Sequence, residues 1–262
     1  MKKKIIIVGG HEQACEAFDL IVSNNIAEVV LCICRKDDIG FDKVFPSLLR
    51  RAIDFNIPHI QPKGLTNDVV FSEVMKVNAD LVLSLQNNMI FGAKWVDYFS
   101  DKLGIVNVHF APLPKYAGFW PEMWAIWNDE SSFGVSLHYV GIGIDSGPII
   151  AQRYFSIEKN EHRFSLYTKS SKNCSLLLEE KLPMLLEKKQ KAVEQDVKLR
   201  SYFPKALPNG GFIDLSWDKE TIERFIRAIA FPGFPGPKIR IGDSVYTILM
   251  EDLQFFLSIN IK

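Results

Sequence analysis

The chain has no excess of charge of either sign: 31 Lys and Arg stand against 31 Asp and Glu. Without a net positive field it lacks the means to hold a long nucleic acid by counterion release, although a local basic patch stays open. Long hydrophobic runs are missing as well. Ile5-Ile6-Ile7-Val8 and the stretch from Val29 to Cys34 stop far short of the roughly 20 residues that a membrane-spanning helix requires, so no membrane anchor is expected. Cysteines are few, Cys15, Cys32, Cys34 and Cys174, with no C-x-x-C pair. Cys32 and Cys34 alternate inside an apolar run, the pattern of buried free thiols in a reducing compartment. The basic start Met1-Lys2-Lys3-Lys4 precedes an apolar stretch too short for a signal sequence, and a cytoplasmic protein is expected. No His, Cys and Asp cluster has metal-ligand spacing, so no metal is invoked.

What remains is an ordinary globular composition, 262 residues with 47% hydrophobic and 24% charged side chains, long enough to bury about 70–75% of the unfolded surface. Ile5 to Val8 is fully apolar and β-branched, as a strand buried on both faces should be, and Gly9-Gly10 opens a helical pattern over residues 12–23. The cycle repeats, with strands expected at 29–34, 59–60, 81–85 and 104–109 and helices at 46–55 and 67–77. Alternation of this kind implies right-handed βαβ crossovers and a Rossmann-like parallel α/β sheet. Two further strands, 134–140 and 148–154, flank a loop with three glycines, and a long helix follows from Leu166 to Lys189, ended or kinked by Pro183. The expected division is a catalytic domain over 1–200 and an extension over 201–262: a linker, a helix at 219–229 and a small β-hairpin around Gly242-Asp243-Ser244. Such a hairpin cannot hold a core alone, so it should pack on the main domain or join two subunits in a homodimer.

Asn107-Val108-His109 places two polar side chains two residues apart, hence on one face at the end of a strand. Both can address one reacting atom. Pro112 and Pro114 are expected to stiffen an extended loop beside that strand, and Asp145 lies in the Gly141 to Gly147 loop, where a carboxylate could reach His109. A histidine oriented by a carboxylate beside an amide donor suits acyl transfer: the imidazole manages protons while the amide binds developing negative charge. No serine or cysteine sits in a recognisable nucleophile elbow, so the attacking group should belong to the substrate.

Asn107-x-His109, Leu113-Pro-x-Tyr-x-Gly118, Gly134-Val-Ser-Leu-His138 and Asp145-Ser-Gly-Pro-Ile-Ile-Ala-Gln152 together resemble the signature of the N10-formyltetrahydrofolate-dependent formyltransferases. The resemblance covers about residues 4 to 200. It implies that Asn107, His109 and Asp145 form the catalytic trio, and that N10-formyltetrahydrofolate is the cosubstrate. It implies too that the pterin is held largely by main-chain groups of two loops, at Asn88, Met89 and Ile90 and at Gly141, Ile142 and Asp145. Gln195-Asp196 and Gly211-Phe-Ile-Asp-Leu-Ser-Trp217 resemble segments of longer members.

Departures narrow the subfamily. Gly9-Gly10-His11-Glu12-Gln13 is a poor copy of the phosphate loop of the glycinamide ribonucleotide enzymes, and the tail is short for a methionyl-tRNA formyltransferase, which remains the alternative. The tail and Phe231-Pro-Gly-Phe-Pro-Gly-Pro237 resemble the sugar N-formyltransferases, which formylate an amino-deoxysugar carried on a nucleotide, here expected to be dTDP, in cell-surface polysaccharide precursor synthesis. Gly9, Gly10 and His11 at a helix N-terminus suit a diphosphate, with Lys115, Tyr116 and Trp120 as further substrate contacts. A different class of reading, a non-catalytic Rossmann-like dinucleotide-binding module, lacks the complete G-x-G-x-x-G. His138 is read as structural or supporting, His59 and His162 as surface or core residues, and the Trp120, Trp124, Trp127 spacing as a helix face directed to the core.

Overall fold

The structure, a computed structural model, describes residues 2–41 and 45–248. The first half alternates as expected: β1 (Lys4–Gly9), α1 (His11–Ser23), β2 (Glu28–Cys34), α2 (Leu48–Asp54), β3 (His59–Ile60), α3 (Asp68–Val77), β4 (Leu81–Leu85), α4 (Ala93–Ser100) and β5 (Ile105–His109). The second half holds β6 (Ala117–Gly118), α5 (Pro121–Trp127), β7 (Ser132–Tyr139), β8 (Ile149–Ser156), α6 (Arg163–Leu186), β9 (Tyr202–Phe203), α7 (Lys219–Ile229), β10 (Lys238–Ile241) and β11 (Ser244–Thr247). One seven-stranded sheet runs β3-β2-β1-β4-β5-β7-β8. Its first five strands are parallel, and β7 and β8 join as an antiparallel pair.

The apolar strands explain the layering, since Ile5 and Ile7 face one side of β1 and Ile6 and Val8 the other, all fully buried. One side packs on α1 and α6 through Phe18, Ile21, Cys174 and Leu178; the other packs on α3 and α4 through Val74, Trp95 and Phe99. All four cysteines are buried, and none forms a disulfide. Gly9 is required where it stands: its φ is +137°, and a Cβ there would lie 1.8 Å from the Leu85 carbonyl oxygen on β4.

The long helix starts earlier than the periodicity suggests, for a capping reason. Helix α6 begins at Arg163 rather than Leu166 because the His162 ring accepts the Ser165 N–H at 3.2 Å, and Pro183 is tolerated one turn before the end at Leu186. The tryptophan spacing does mark a helix, α5. A third apolar cluster joins α5 and α7 through Met123, Ile126, Ile222, Phe225 and Ile226, and β9 pairs in parallel with β6. The chain on either side of residue 200 is therefore attached to the same walls. The hairpin β10–β11 roots in that cluster through Ile248, with Ile239 also buried, while Ile241, Val245 and Tyr246 are exposed.

Candidate active site

Strand alternation settles the first part of the site. Val106 and Val108 point into the cluster under α1 and α6, so Asn107 and His109 share the opposite face of β5. The antiparallel register pairs Asn107 with His138 on β7, which brings a third polar side chain to that face. His138 is fully buried, and burial pushes its pKa down to about 4 despite the opposing carboxylate of Asp145. The ring is thus neutral. Its Nδ1–H donates to the Tyr139 carbonyl at 2.8 Å, and its Nε2 accepts the Asn107 amide N–H at 3.0 Å. The amide is held by one proton, and the other is left to be offered to an oxygen in the site.

Asp145 lies between the two imidazoles, with Oδ2 3.7 Å from His109 Nδ1 and Oδ1 3.8 Å from His138 Nε2. Oδ2 also accepts the Gly118 N–H at 2.9 Å. Burial alone would push this carboxyl up; His109, His138, the Gly118 N–H and Arg200 outweigh it and hold the group below the usual aspartate value. His109 is nearly buried, and its Nε2–H donates to the Tyr116 carbonyl at 2.9 Å. That bond leaves Nδ1 as the nitrogen that faces the carboxylate. An ionised carboxylate, an imidazole that can carry a proton against it and an oriented amide therefore stand on one face of the sheet, a set able to stabilise developing oxygen charge and to move a proton.

The other sequence-predicted residues fall in different places. Asn88 and Ile90 are exposed in the turn after β4, where the Asn87 side chain accepts the Met89 N–H at 2.9 Å and donates to its carbonyl at 2.8 Å. Met89 packs on the α3–α4 side of the core. Gly141 and Ile142 lie in the loop that carries Asp145, with Ile142 strongly exposed. Gly9 and Gly10 are accounted for by packing: Gly10 N–H donates to the Leu85 carbonyl at 3.1 Å, and a Cβ on Gly10 would meet the Arg35 side chain. His11 opens α1 and stacks on Phe45 at 4.1 Å. Burial, with Arg35 beside it, lowers its pKa to about 4, so the ring is neutral in the unliganded protein. Lys115 is exposed, and Trp120 is half-buried against the α5–α7 cluster.

Two expectations are corrected. The segment after Pro112 is not extended but turns, with the Lys115 N–H donating to the Pro112 carbonyl at 3.2 Å. Tyr116, at φ +59°, swings its ring away from the trio: the ring stacks on Phe203 and the hydroxyl donates to Glu130 at 2.6 Å. As a substrate contact its ring is unavailable, and its part in the site is the carbonyl that His109 binds. Sequence reasoning underrated His138, whose signal lies in the β5–β7 register rather than in any local pattern. A cavity of about 420 Å³ between α1 and α6, lined by Gln13, Tyr167 and Ser171 among others, includes none of the trio.

Comparison with known proteins adds the following. The family described as formyl transferase matches residues 1–181. A bifunctional polymyxin resistance protein of Wigglesworthia glossinidia brevipalpis is 29% identical over 253 residues, 96% of this chain and 38% of its own length. A GDP-perosamine N-formyltransferase of Brucella melitensis is 33% identical over 174 residues, 66% of each chain. The chain thus spans less than two thirds of these relatives. Among solved structures, an N-formyltransferase of Helicobacter canadensis, in complex with folinic acid and dTDP-3-aminofucose, aligns with a TM-score of 0.71 at 26% identity over 92% of this chain and 85% of that one. A sugar 3N-formyl transferase solved with dTDP and 5-N-formyl-THF aligns with a TM-score of 0.72 at 26% identity over 93% and 84%.

Proposed function

The chain belongs to the formyl transferase family, and from that premise we propose that it transfers a formyl group from N10-formyltetrahydrofolate to the amino group of a nucleotide-linked amino-deoxysugar. The observation that carries the reading is the trio itself, with Asp145 held between His109 and His138 and with Asn107 fixed by His138. The folate supplies an activated formyl carbon to a neutral amine. Asn107 offers its free amide proton to the formyl oxygen as negative charge grows there. His109 takes the proton of the attacking amine and returns it toward the departing nitrogen, with Asp145 holding the charged ring; a proton transfer of this kind contributes about 10²–10⁴ in rate.

The turn at Asn88, Met89 and Ile90 and the loop at Gly141, Ile142 and Asp145 are the proposed pterin contacts. Two features suit a flat, partly apolar ring with polar edges: the exposed side chains of Ile90 and Ile142, and a turn already tied by Asn87. Gly9, Gly10, Lys115 and Trp120 remain the proposed contacts for the nucleotide sugar, with the Tyr116 carbonyl acting through His109. dTDP is the proposed carrier; the GDP-linked relative makes GDP the alternative to include. The protein is also proposed to pair as a homodimer through its hairpin, on the exposed Ile241, Val245 and Tyr246.

The test is tetrahydrofolate release with a panel of dTDP- and GDP-linked 3-amino and 4-amino deoxysugars, run beside initiator methionyl-tRNA at two salt concentrations. Turnover with one of the sugars and none with tRNA is expected. Formylation of the tRNA alone, with affinity falling steeply as salt rises, would replace this reading with the methionyl-tRNA one.

A further inference from the structure

We propose that Gln195 and Arg200 are positioning residues that hold Asp145 in place, and that the segment 193–203 is a clasp joining the two walls of the site. The kinetic part of this inference rests on the formyl-transfer reading; the structural part does not. Asp145 has φ +47°, a left-handed backbone that costs a non-glycine residue of order 1 kcal/mol. Such a conformation persists only where its surroundings fix it. Here the fixing groups come from one short stretch of chain. Gln195 Nε2 donates to the carbonyls of Asp145 at 2.9 Å and Gly147 at 2.7 Å. Arg200 donates from Nη2 to the Ile144 carbonyl at 2.6 Å and from Nη1 to the Asp145 carbonyl at 3.3 Å. Just before them, Val193 exchanges both main-chain bonds with Ile149 at 2.8 Å, at the far end of the loop.

The next residues grip the opposite wall. The Ser201 hydroxyl accepts the Tyr116 N–H at 2.8 Å, and its carbonyl accepts the Ala117 N–H at 3.0 Å. The Phe203 carbonyl accepts the Phe119 N–H at 2.9 Å. Gly118 sits against that carbonyl so closely that a Cβ would lie 2.2 Å from it, and it is Gly118 whose N–H meets the Asp145 carboxylate. The clasp therefore fixes Asp145 from both ends, its main chain through Gln195 and Arg200 and its carboxylate through the strand that Ser201 to Phe203 supports. The same strand holds the Tyr116 carbonyl that receives His109 Nε2. Slack in the clasp would separate the carboxylate from the imidazole without removing either.

The experiment compares wild type with Gln195→Met, Arg200→Ala and Arg200→Lys. Expected is a fall in kcat of about a hundredfold for Gln195→Met and Arg200→Ala, the scale of loss for an ångström of misplacement, with KM for both substrates close to wild type. Partial recovery is expected in Arg200→Lys and on adding guanidinium ion to Arg200→Ala. The second readout needs no acceptor. The ¹³C titration of the Asp145 carboxyl in the unliganded protein should move upward in Arg200→Ala, because the groups that face this carboxyl, His109, His138, the Gly118 N–H and Arg200, lose one cation and their alignment. Folded variants with wild-type kcat and an unmoved Asp145 titration would overturn the clasp, as would a loss confined to KM. Should the wild type accept no aminosugar, the functional reading falls and the carboxyl titration alone decides the clasp. Should Gln195→Met fail to fold, Arg200→Ala decides it, because Arg200 is half-buried and reaches the loop only through two carbonyls.

Discussion

Replacing Asp145 with Asn removes one charge and almost no volume, which makes it a sharp probe of what the carboxylate does. The Asn side-chain oxygen can still accept the Gly118 N–H now held at 2.9 Å, so the loop should keep its place. What disappears is the negative charge 3.7 Å from His109 and 3.8 Å from His138. Two unit charges about 4 Å apart interact by about 4 kcal/mol at an effective dielectric near 20. If His109 becomes a cation while it carries the proton, losing its counter-charge should raise the barrier by up to that amount, about a 10³-fold fall in kcat. KM for folate and sugar should stay near wild type, since shape and hydrogen bonding are kept. The assay is tetrahydrofolate release at saturating substrates. A kcat within tenfold of wild type would refute the assignment of Asp145 as the partner of the imidazolium. Stability supplies an independent check. The carboxyl is held below its usual 3.8 in the folded protein, so it contributes stability above that pH and loses the contribution as pH falls through the folded value. Urea midpoints of wild type should therefore drop relative to Asp145→Asn on acidification below about 4.

Three other outcomes follow from the same geometry. Because His138 is kept neutral with its pKa lowered from 6.5 to about 4, the unfolded chain binds the proton more readily between those values. Stability should fall as pH drops from 6.5 toward 4, by up to about 3 kcal/mol, and His138→Gln should lessen that fall, with His11, displaced the same way, accounting for part of what remains; equal pH slopes in urea titrations of the two proteins would contradict this. Glu122 and Arg163 form a buried ion pair at 3.0 Å between α5 and α6, so Glu122→Ala should cost about 3–5 kcal/mol by leaving the guanidinium unpaired, read as a Tm lower by about 10 °C; a change of only a degree or two would mean that Trp120 and Phe231, which flank the guanidinium, suffice to hold it. Light scattering should give a dimer for wild type and a monomer for Ile241→Asp, and a monomeric wild type at micromolar concentration would end the hairpin proposal.

How far the sequence could be read depended on whether the deciding contact was local. Alternation within a strand is local, and so Asn107 and His109 could be put on one face from three residues of sequence. The buried β-branched run at Ile5 to Val8 and the helix at 219–229 are legible for the same reason: periodicity records which side of an element is covered. It does not record by what. On β10 Ile239 is buried while Ile241, two residues on and so on the same side of the strand, is exposed, and nothing nearby tells whether the outward residue meets solvent or a second chain.

His109 and His138 show the limit most clearly, because each follows an aliphatic residue, Val108 or Leu137, in an apolar strand and the two look alike as text. What separates them is the pairing of β5 with β7 and the arrival of residues 141–147 above that pair. These contacts link positions about 30 to 40 apart in the chain and carry no local mark. The same holds for Tyr116. Its aromatic ring suggested a contact for the substrate, yet the left-handed φ of +59° turns the ring into the core and the carbonyl toward His109, and only glycine advertises such a conformation in sequence. Gly118, two residues on, does so, with φ +101°. The chain from residue 201 on, with Pro204, Pro208 and Asn209-Gly210-Gly211, reads as a linker, a connection between units. Physically its start belongs to a connection of another kind, since Gln195 and Arg200 just before it spend their donors on the Asp145 loop while Ser201 and Phe203 hold the wall opposite. A polar residue in a linker is ambiguous between solvation and long-range hydrogen bonding, and composition weighs only the first.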